Sequence, residues 1–130
     1  LATSLGIRES IDFVGHKSRE ELAAFYAESN TLILASTNEV WGLVVNEALA
    51  SGLHVVVSNK CGIADFVEQM KGVYVCKPDL FSVQESMAIS SREWNGYIQD
   101  SEILNFTPEK FAEKLTDLIF SISQKASNRN

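Results

Sequence analysis

Short apolar runs of strand length alternate with helical segments along this chain, and that alternation most constrains the fold. Residues 31–35 (TLILA) and 54–58 (HVVVS) are apolar almost throughout, so their side chains are expected to be buried on both faces of a sheet. Strands of this kind joined by helices form parallel sheets, with helices on both faces and right-handed connections. We therefore predict one α/β domain with an open, Rossmann-like parallel sheet.

Capping residues help to delimit the elements. Ser18 is followed three residues later by Glu21, which resembles a capping box, and Gly52 stands where a glycine ends a helix. Between Pro78 and Pro108 the pattern is less regular, and no element is predicted between residues 78 and 107. The predicted strands span residues 11–15, 31–35, 54–58 and 72–76, and the predicted helices span residues 18–28, 41–51, 63–70 and 108–123.

The last of these helices is predicted from Pro108, which suits the first helical position, with Thr107 as its cap. Its apolar residues recur at helical spacing and should form one buried face. The residues expected on that face are Phe111, Leu115, Leu118 and Ile119.

Composition excludes several classes of function. The 130 residues carry a formal net charge of −6, which argues against a nucleic-acid binder and against docking on anionic lipid. Cys61 and Cys76 are the only cysteines, so a disulfide framework is not indicated and a reduced, cytoplasmic setting is expected. No Cys/His spacing suggests zinc, and no apolar run approaches the ~20 residues that span a bilayer.

Ligands of open parallel α/β sheets bind beyond the carboxyl ends of the strands. Three loops are expected at that edge: residues 15–17, residues 36–39 and residues 58–62. Each leads into a helix N-terminus, which presents free N–H groups and a partial positive charge and therefore attracts phosphate.

The loop before the second predicted helix carries the strongest signal. Glu39 precedes the helix, Gly42 opens it and Glu47 lies eight residues after Glu39. Carboxylates would repel phosphate, so these two should accept hydrogen bonds from hydroxyl groups, while Gly42 lets a ligand approach the backbone. The alternative is that Glu47 lies on a solvent stripe with Asn46 and Ser51, and that Glu39 only complements the helix dipole.

The other polar and aromatic candidates have ordinary structural interpretations. Gly15 and His16 fit a solvated turn as well as a ligand contact. His54 starts a buried strand and is expected to be a structural residue rather than a catalytic base. Trp41 and Trp94 are expected to pack in preference to stacking on a sugar.

The stretch EVWGLVVNEALASG at residues 39–52, followed by VVVS and CG, resembles glycosyltransferase family 4. Members of that family carry two glutamates separated by seven residues. The upstream segment FVGHKSREELAAFYAESNTLILAS and the tail FTPEKFAEKL are also similar to the family, so the resemblance covers nearly the whole chain. It implies the donor-binding, C-terminal half of a retaining enzyme of the GT-B fold.

The resemblance also implies roles for individual residues. Glu39 would be the catalytic-site residue that contacts the transferred sugar, and Glu47 would hold the ribose hydroxyls of the donor nucleotide. Backbone groups near Gly42 would lie beside the diphosphate or the sugar, and the loop at residues 14–16 would lie near the base. The implied donor-binding residues are Glu47, Gly42, Leu43, Val44, Gly15, His16 and Asn38.

The implied reaction moves a hexose from a nucleotide-diphosphate sugar to a glycan or lipid-linked acceptor, as in polysaccharide biosynthesis, without metal or cofactor. The resemblance implies that the family's N-terminal acceptor domain, the first strand of this domain and a basic Arg/Lys pair that neutralises the diphosphate are expected to lie outside these 130 residues. The chain begins at Leu1 and has His54 where the family usually has proline. By itself it should be inactive, and its exposed cleft face should favour self-association. The complete enzyme would be cytoplasmic or peripheral to the inner face of the membrane.

Two other interpretations stay open. In one, the chain is a non-catalytic fragment or pseudoenzyme that serves as an interaction module, because the implied acceptor domain is not expected within these 130 residues. A receiver-like or flavodoxin-like domain is the other alternative, although the acidic cluster that a receiver needs at its first strand is missing.

Overall fold

A parallel sheet lies at the centre of the part of the chain that the structure describes. The computed structural model describes residues 1–110, 112, 113, 115–117 and 119. Within these residues three strands, β1 (Thr31–Leu34), β2 (His54–Ser58) and β3 (Val73–Cys76), form one sheet in the order β1-β2-β3. Both pairs of neighbours are parallel, so the carboxyl ends of all three strands meet at one edge.

Helices cover both faces of this sheet. The helices before residue 108 are α1 (Arg19–Glu28), α2 (Leu43–Ala50), α3 (Ala64–Val67) and α4 (Leu80–Glu93), with 3-10 turns at Arg8–Ser10 and Glu102–Asn105. Val55 and Val57 of β2 join a buried cluster with Leu49 of α2. On the opposite face, the Thr31 hydroxyl of β1 lies 2.9 Å from the Ser90 hydroxyl of α4. All five residues of β2 are buried, and the predicted open α/β sheet with helices on both faces is confirmed.

The predicted caps are confirmed in detail. The Ser18 hydroxyl accepts a hydrogen bond from the Glu21 N–H, and the Glu21 carboxylate accepts one from the Ser18 N–H at 2.8 Å. Gly52 follows α2 with φ 80°, the left-handed conformation that favours glycine after a helix. A Cβ at this position would also lie 2.8 Å from the Ile98 carbonyl oxygen.

Two elements differ from the sequence prediction. The strand predicted at residues 11–15 is wrong: the segment is irregular, and Phe13 is 73% exposed. A strand needs a hydrogen-bonded neighbour, and the sheet order within the described residues gives this segment none. Helix α4 was not predicted, although Asp79 caps it by accepting a hydrogen bond from the Ser82 N–H at 2.9 Å. Its serine-rich sequence, directly after Pro78, weakened the helical pattern.

The helix predicted after Thr107 is present in part. The Thr107 hydroxyl accepts a hydrogen bond from the Lys110 N–H at 3.3 Å, and residues 108–110, 112, 113, 115–117 and 119 are helical. Its expected buried face is wrong for Leu115 and Ile119, which are 44% and 59% exposed, because α2 and α4 already cover the sheet. Phe111, Leu118 and residues 120–123 lie outside the described residues.

His54 lies at the amino end of β2, away from the edge where ligands bind in such sheets. It is 4% exposed, its Nδ1 lies 3.4 Å from the Tyr74 hydroxyl, and its ring packs edge-on against Trp94 with centroids 5.0 Å apart. Trp94 also packs against Tyr97 at 5.3 Å. The structural roles expected for His54 and Trp94 are confirmed.

Burial of His54 makes folding sensitive to acid. Burial lowers the pKa of His54 below its usual value, despite the opposing Ser90 backbone hydrogen bond and the Glu93 charge. The unfolded chain therefore binds this proton more readily, and stability falls as the pH drops below the ordinary histidine pKa of about 6.5. In urea titrations, we expect the loss of stability between about pH 7.5 and pH 5.5 to be smaller in His54→Phe than in the wild type.

The chain offers a matched control for this measurement. His16 is exposed in the loop before α1, so His16→Gln should retain the wild-type acid sensitivity. An equal loss of stability in His54→Phe and the wild type would contradict the prediction.

None of the helices within the described residues has the length and hydrophobicity that a membrane crossing requires.

Candidate functional site at the carboxyl edge of the sheet

Two loops are hydrogen-bonded to each other beyond the carboxyl ends of β1 and β2. The loop at residues 35–42 follows β1, and the loop at residues 59–63 follows β2. The Glu39 N–H donates to the Lys60 carbonyl at 3.2 Å, and the Glu39 carbonyl accepts from the Gly62 N–H at 2.9 Å. The backbone of Glu39 is therefore positioned by a neighbouring loop as well as by its own.

Gly62 allows this close approach. A Cβ at Gly62 would overlap the carbonyl oxygen of Val40. The Ile63 N–H then donates to the Trp41 carbonyl at 3.0 Å and continues the contact between the loops. A glycine at position 62 is therefore needed for contact between the two loops.

Gly42 places the N-terminus of α2 at this edge. Its φ of 96° is left-handed, and a Cβ would lie 3.1 Å from Cδ2 of Leu34, so both conformation and space favour glycine. The helix begins at Leu43, two residues later than predicted. The N–H groups of Leu43 and Val44 belong to the first turn, which has no acceptors within the helix, and they carry the positive end of the dipole. This end can therefore receive an anionic group.

The Glu39 carboxylate lies close to its own loop. Its Oε1 accepts a hydrogen bond from the Trp41 N–H at 3.3 Å. Burial, and after it the charge of Glu39, raises the pKa of Cys61, whose thiol is free and 4% exposed. Cys61 is thus a neutral, enclosed thiol at neutral pH and is unsuited to act as a nucleophile. Cys76 is also free and buried.

Glu47 lies one helical turn after Leu43 and faces α1. Its Oε2 accepts a hydrogen bond of 2.9 Å from the Tyr26 hydroxyl. A hollow of about 450 Å³ opens between α1 and α2 at this point. Its lining residues are Arg19, Leu22, Ala23, Tyr26, Glu47 and Ser51.

The hollow combines an acidic group, a basic group and a neutral donor. Burial, together with the hydrogen bond and charge of Glu47, raises the pKa of Tyr26 to about 12, so its hydroxyl stays protonated at neutral pH. Arg19 forms no ion pair among the described residues. The hollow can therefore accept hydrogen bonds from hydroxyl groups and attract an anion.

The structure brings some of the predicted site residues together and separates others. Glu39 and Gly42 adjoin, because a Cβ at Gly42 would lie 3.7 Å from Cγ of Glu39. Glu47 has different neighbours, and Glu39 does not line its hollow. The remaining predicted residues on the loops, Gly15, His16 and Asn38, are exposed, and no hydrogen bond within the described residues joins Gly15 or His16 to the loops after β1 and β2.

Two residues of the hollow, Arg19 and Tyr26, were not predicted as site residues. Arg19, Leu22, Ala23 and Tyr26 are spaced at i, i+3, i+4 and i+7, which places them on one face of a helix. That periodicity is visible in the sequence. The polar ends of Arg19 and Tyr26 were the signal that this face also lines a site.

An apolar strip borders the N-terminus of α2. Val40 is 91% exposed, Leu43 66% and Trp41 42%. The Trp41 ring lies against Phe66 at a centroid distance of 6.2 Å. Among the described residues no group of three or more His, Cys, Asp or Glu side chains is placed to hold a metal ion.

Comparison with known proteins shows which family this chain is similar to. Residues 1–89 match the family of glycosyl transferases group 1. The chain is 37% identical over 76 residues to D-inositol 3-phosphate glycosyltransferase of Salinispora arenicola, covering 58% of this chain and 17% of the relative. It is 31% identical over 121 residues to the protein of that name in Corynebacterium diphtheriae, covering 88% and 28%.

A third relative has a different name. The chain is 27% identical over 116 residues to alpha-monoglucosyldiacylglycerol synthase of Streptococcus pneumoniae, covering 88% of this chain and 26% of the relative. The chain thus spans about a quarter or less of the length of most of the curated relatives it matches. The family match covers more than half of the chain, and the chain belongs to the glycosyl transferases group 1 family.

Proposed function

We propose that this chain is the donor-binding domain of a retaining glycosyltransferase of family 4, which transfers a hexose from a nucleotide-diphosphate sugar to a glycan or lipid-linked acceptor. Membership of the group 1 family supports binding of a nucleotide-sugar donor. The single observation that carries the proposal is the hollow beside Glu47, which opens between α1 and α2 in the domain whose carboxyl edge carries Glu39.

The chemistry of the hollow suits the nucleoside end of the donor. Glu47 is an exposed carboxylate with one oxygen engaged by Tyr26, so its other oxygen is available to ribose hydroxyls. A carboxylate would repel phosphate, and the first-turn N–H groups of α2 offer the diphosphate a better place. Leu43, which begins α2, is one turn before Glu47, and this separation suits a ligand that places ribose and diphosphate side by side.

Glu39 is proposed to contact the transferred sugar. Its backbone is held on both sides by the loop after β2, and its carboxylate accepts a hydrogen bond from the Trp41 N–H, just before the first turn of α2. A sugar attached to a diphosphate at that turn would present its hydroxyls to this carboxylate. The loop at Gly15, His16 and the exposed Asn38 are proposed to border the base and the sugar as the donor binds.

A second, acceptor-binding domain is proposed to cover the apolar strip at Val40, Trp41 and Leu43. The exposure of this strip and the greater length of the relatives support the proposal. Transfer itself would require that domain, since a closed cleft excludes water from the reacting groups.

The donor roles are tested by calorimetric titration of the 130-residue chain with UDP, GDP and ADP, and with UDP-glucose, GDP-mannose and ADP-glucose. Glu47→Ala removes a charged acceptor and should weaken binding of the nucleoside diphosphate about 10- to 100-fold. Glu39→Ala should leave diphosphate binding unchanged but remove the extra affinity that the attached sugar provides.

Glu93→Ala is the matched control, because Glu93 also accepts a 2.9 Å hydrogen bond from a tyrosine but lies on α4. It should bind the nucleotide like the wild type. Unchanged affinity in Glu47→Ala would contradict the assigned role. If the wild-type chain bound none of the six compounds, the donor-binding proposal would fail, and the exposed strip would favour an interaction module instead.

A further inference from the structure

We infer that Tyr26 is a positioning residue that orients the Glu47 carboxylate toward the nucleoside and thereby sets the preference for ribose over 2′-deoxyribose. This inference rests on the proposed function, because it specifies how the Glu47 hollow selects its ligand. It begins from the 2.9 Å hydrogen bond between the Tyr26 hydroxyl and Oε2 of Glu47, which joins α1 to α2 across 21 residues of sequence.

The Tyr26 ring is anchored while its hydroxyl reaches the hollow. The ring packs against the buried core cluster, and the residue is partly buried. Glu47 is an exposed side chain on the surface of α2, with three rotatable bonds of its own. A rigid donor fixed by the core therefore restricts a flexible acceptor, so less conformational entropy is lost when a ligand binds.

The hydrogen bond also determines which lone pairs remain for the ligand. Tyr26 keeps its proton at neutral pH, since its pKa is raised to about 12, and it can only donate to the carboxylate. With Oε2 engaged, Oε1 and the remaining lone pairs of the carboxylate stay available to a ligand in the hollow that Glu47 lines. A ribose 2′-hydroxyl can donate to them, whereas a 2′-deoxyribose leaves one charged acceptor without its partner. The cost of that loss depends on how firmly the carboxylate is held.

The protein contains a chemically equivalent pair in a different place. Tyr74 of β3 donates a 2.9 Å hydrogen bond to Oε2 of Glu93 at the end of α4, and the pKa of Tyr74 is also raised to about 12. Tyr74→Phe thus removes the same kind of hydrogen bond without touching the hollow between α1 and α2. Comparison with this variant distinguishes a change in the preference for ribose from a general change in the stability of the fold.

The test compares the wild type, Tyr26→Phe and Tyr74→Phe. Each 130-residue chain is titrated with UDP, GDP and ADP and with the three 2′-deoxynucleoside diphosphates. Tyr26→Phe should weaken binding of the ribose compounds about three- to tenfold and leave the deoxy compounds nearly unchanged, so that discrimination shrinks. Tyr74→Phe should prefer the ribose compounds over the deoxy compounds by the same factor as the wild type. Circular dichroism confirms that each variant is folded.

A second variant tests the same idea without altering Tyr26. Glu47→Asp keeps the charge but shortens the side chain by one methylene, which moves the carboxylate away from the Tyr26 hydroxyl. Glu47→Asp should lose the preference for ribose over deoxyribose compounds to the same degree. The double variant Glu47→Asp/Tyr26→Phe should show the same affinity ratio as Glu47→Asp alone.

The outcomes separate this inference from the proposed function. If Tyr26→Phe binds ribose and deoxyribose compounds like the wild type, the inference is overturned while donor binding stands. An equal loss of affinity for the ribose and the deoxyribose compounds also overturns the inference. Tyr26 would then contribute to the shape of the hollow without affecting the choice between the two sugars. If the wild type binds none of the compounds, the proposed function fails first, and the inference fails with it.

Discussion

Leu49→Ala is expected to lower the free energy of unfolding by about 3 to 4 kcal/mol, the largest effect among the changes considered for this protein. Leu49 is 1% exposed and joins the cluster that connects α2 to Val55 and Val57 of β2. Truncation removes the buried methyl groups and leaves a cavity that the surrounding valines cannot fill unless the helix shifts toward the sheet. Urea unfolding followed by circular dichroism measures the loss.

The control is on the same helix. Leu43 begins α2 but is 66% exposed, so Leu43→Ala should change the free energy of unfolding by less than about 0.5 kcal/mol. Equal destabilisation by the two substitutions would show that the buried face of α2 is not the one described.

Gly62→Ala is expected to destabilise the chain by about 2 to 3 kcal/mol and to displace the segment that carries Glu39. The added methyl group would overlap the Val40 carbonyl oxygen, and main-chain atoms cannot yield as the end of a flexible side chain can. The hydrogen bond from the Gly62 N–H to the Glu39 carbonyl would lengthen or break. Denaturant unfolding measures the stability, and titration with UDP-glucose, GDP-mannose and ADP-glucose measures the consequence for the donor.

Gly15→Ala provides the comparison, because a Cβ there meets nothing within 4 Å and only its positive φ of 66° opposes the change. It should cost about 1 kcal/mol, clearly less than Gly62→Ala. Wild-type stability in Gly62→Ala would mean that the loops after β1 and β2 do not approach as closely as the structure shows.

The elements predicted correctly are those that local chemistry specifies. Ser18 and Glu21 satisfy each other's backbone groups within four residues, and β2 is apolar along its whole length. By contrast, residues 11–15 have a strand-like sequence and no partner strand among the described residues, and α4 has a weak helical pattern that packing on the sheet stabilises. Where an element depends on its neighbour, the pattern of its own residues is not sufficient.

In the candidate site, too, some features could be predicted from nearby residues in the chain and others depend on contacts between distant elements. The spacing of Glu39, Gly42 and Glu47 was sufficient to mark the entry of α2 as a place for a ligand. It did not reveal that the two carboxylates have different partners, or that Tyr26 of α1 lies within 2.9 Å of Glu47. Tyr26 and Glu47 are 21 positions apart and are in contact only because the folded chain brings α1 next to α2.

By itself, the sequence determined the class of fold, the caps of α1 and α2, and the buried central strand. It also determined the start of α2, close to which Glu39 and Glu47 lie. Each of these features depends on residues that are close together in the chain. Only the tertiary structure decided which segments are strands, that Gly62 must be glycine, and that a hollow opens between α1 and α2. Those features depend on which distant surfaces come into contact. Excluded volume and hydrogen-bond pairing between such surfaces are properties of the packed molecule and have no periodicity in the chain.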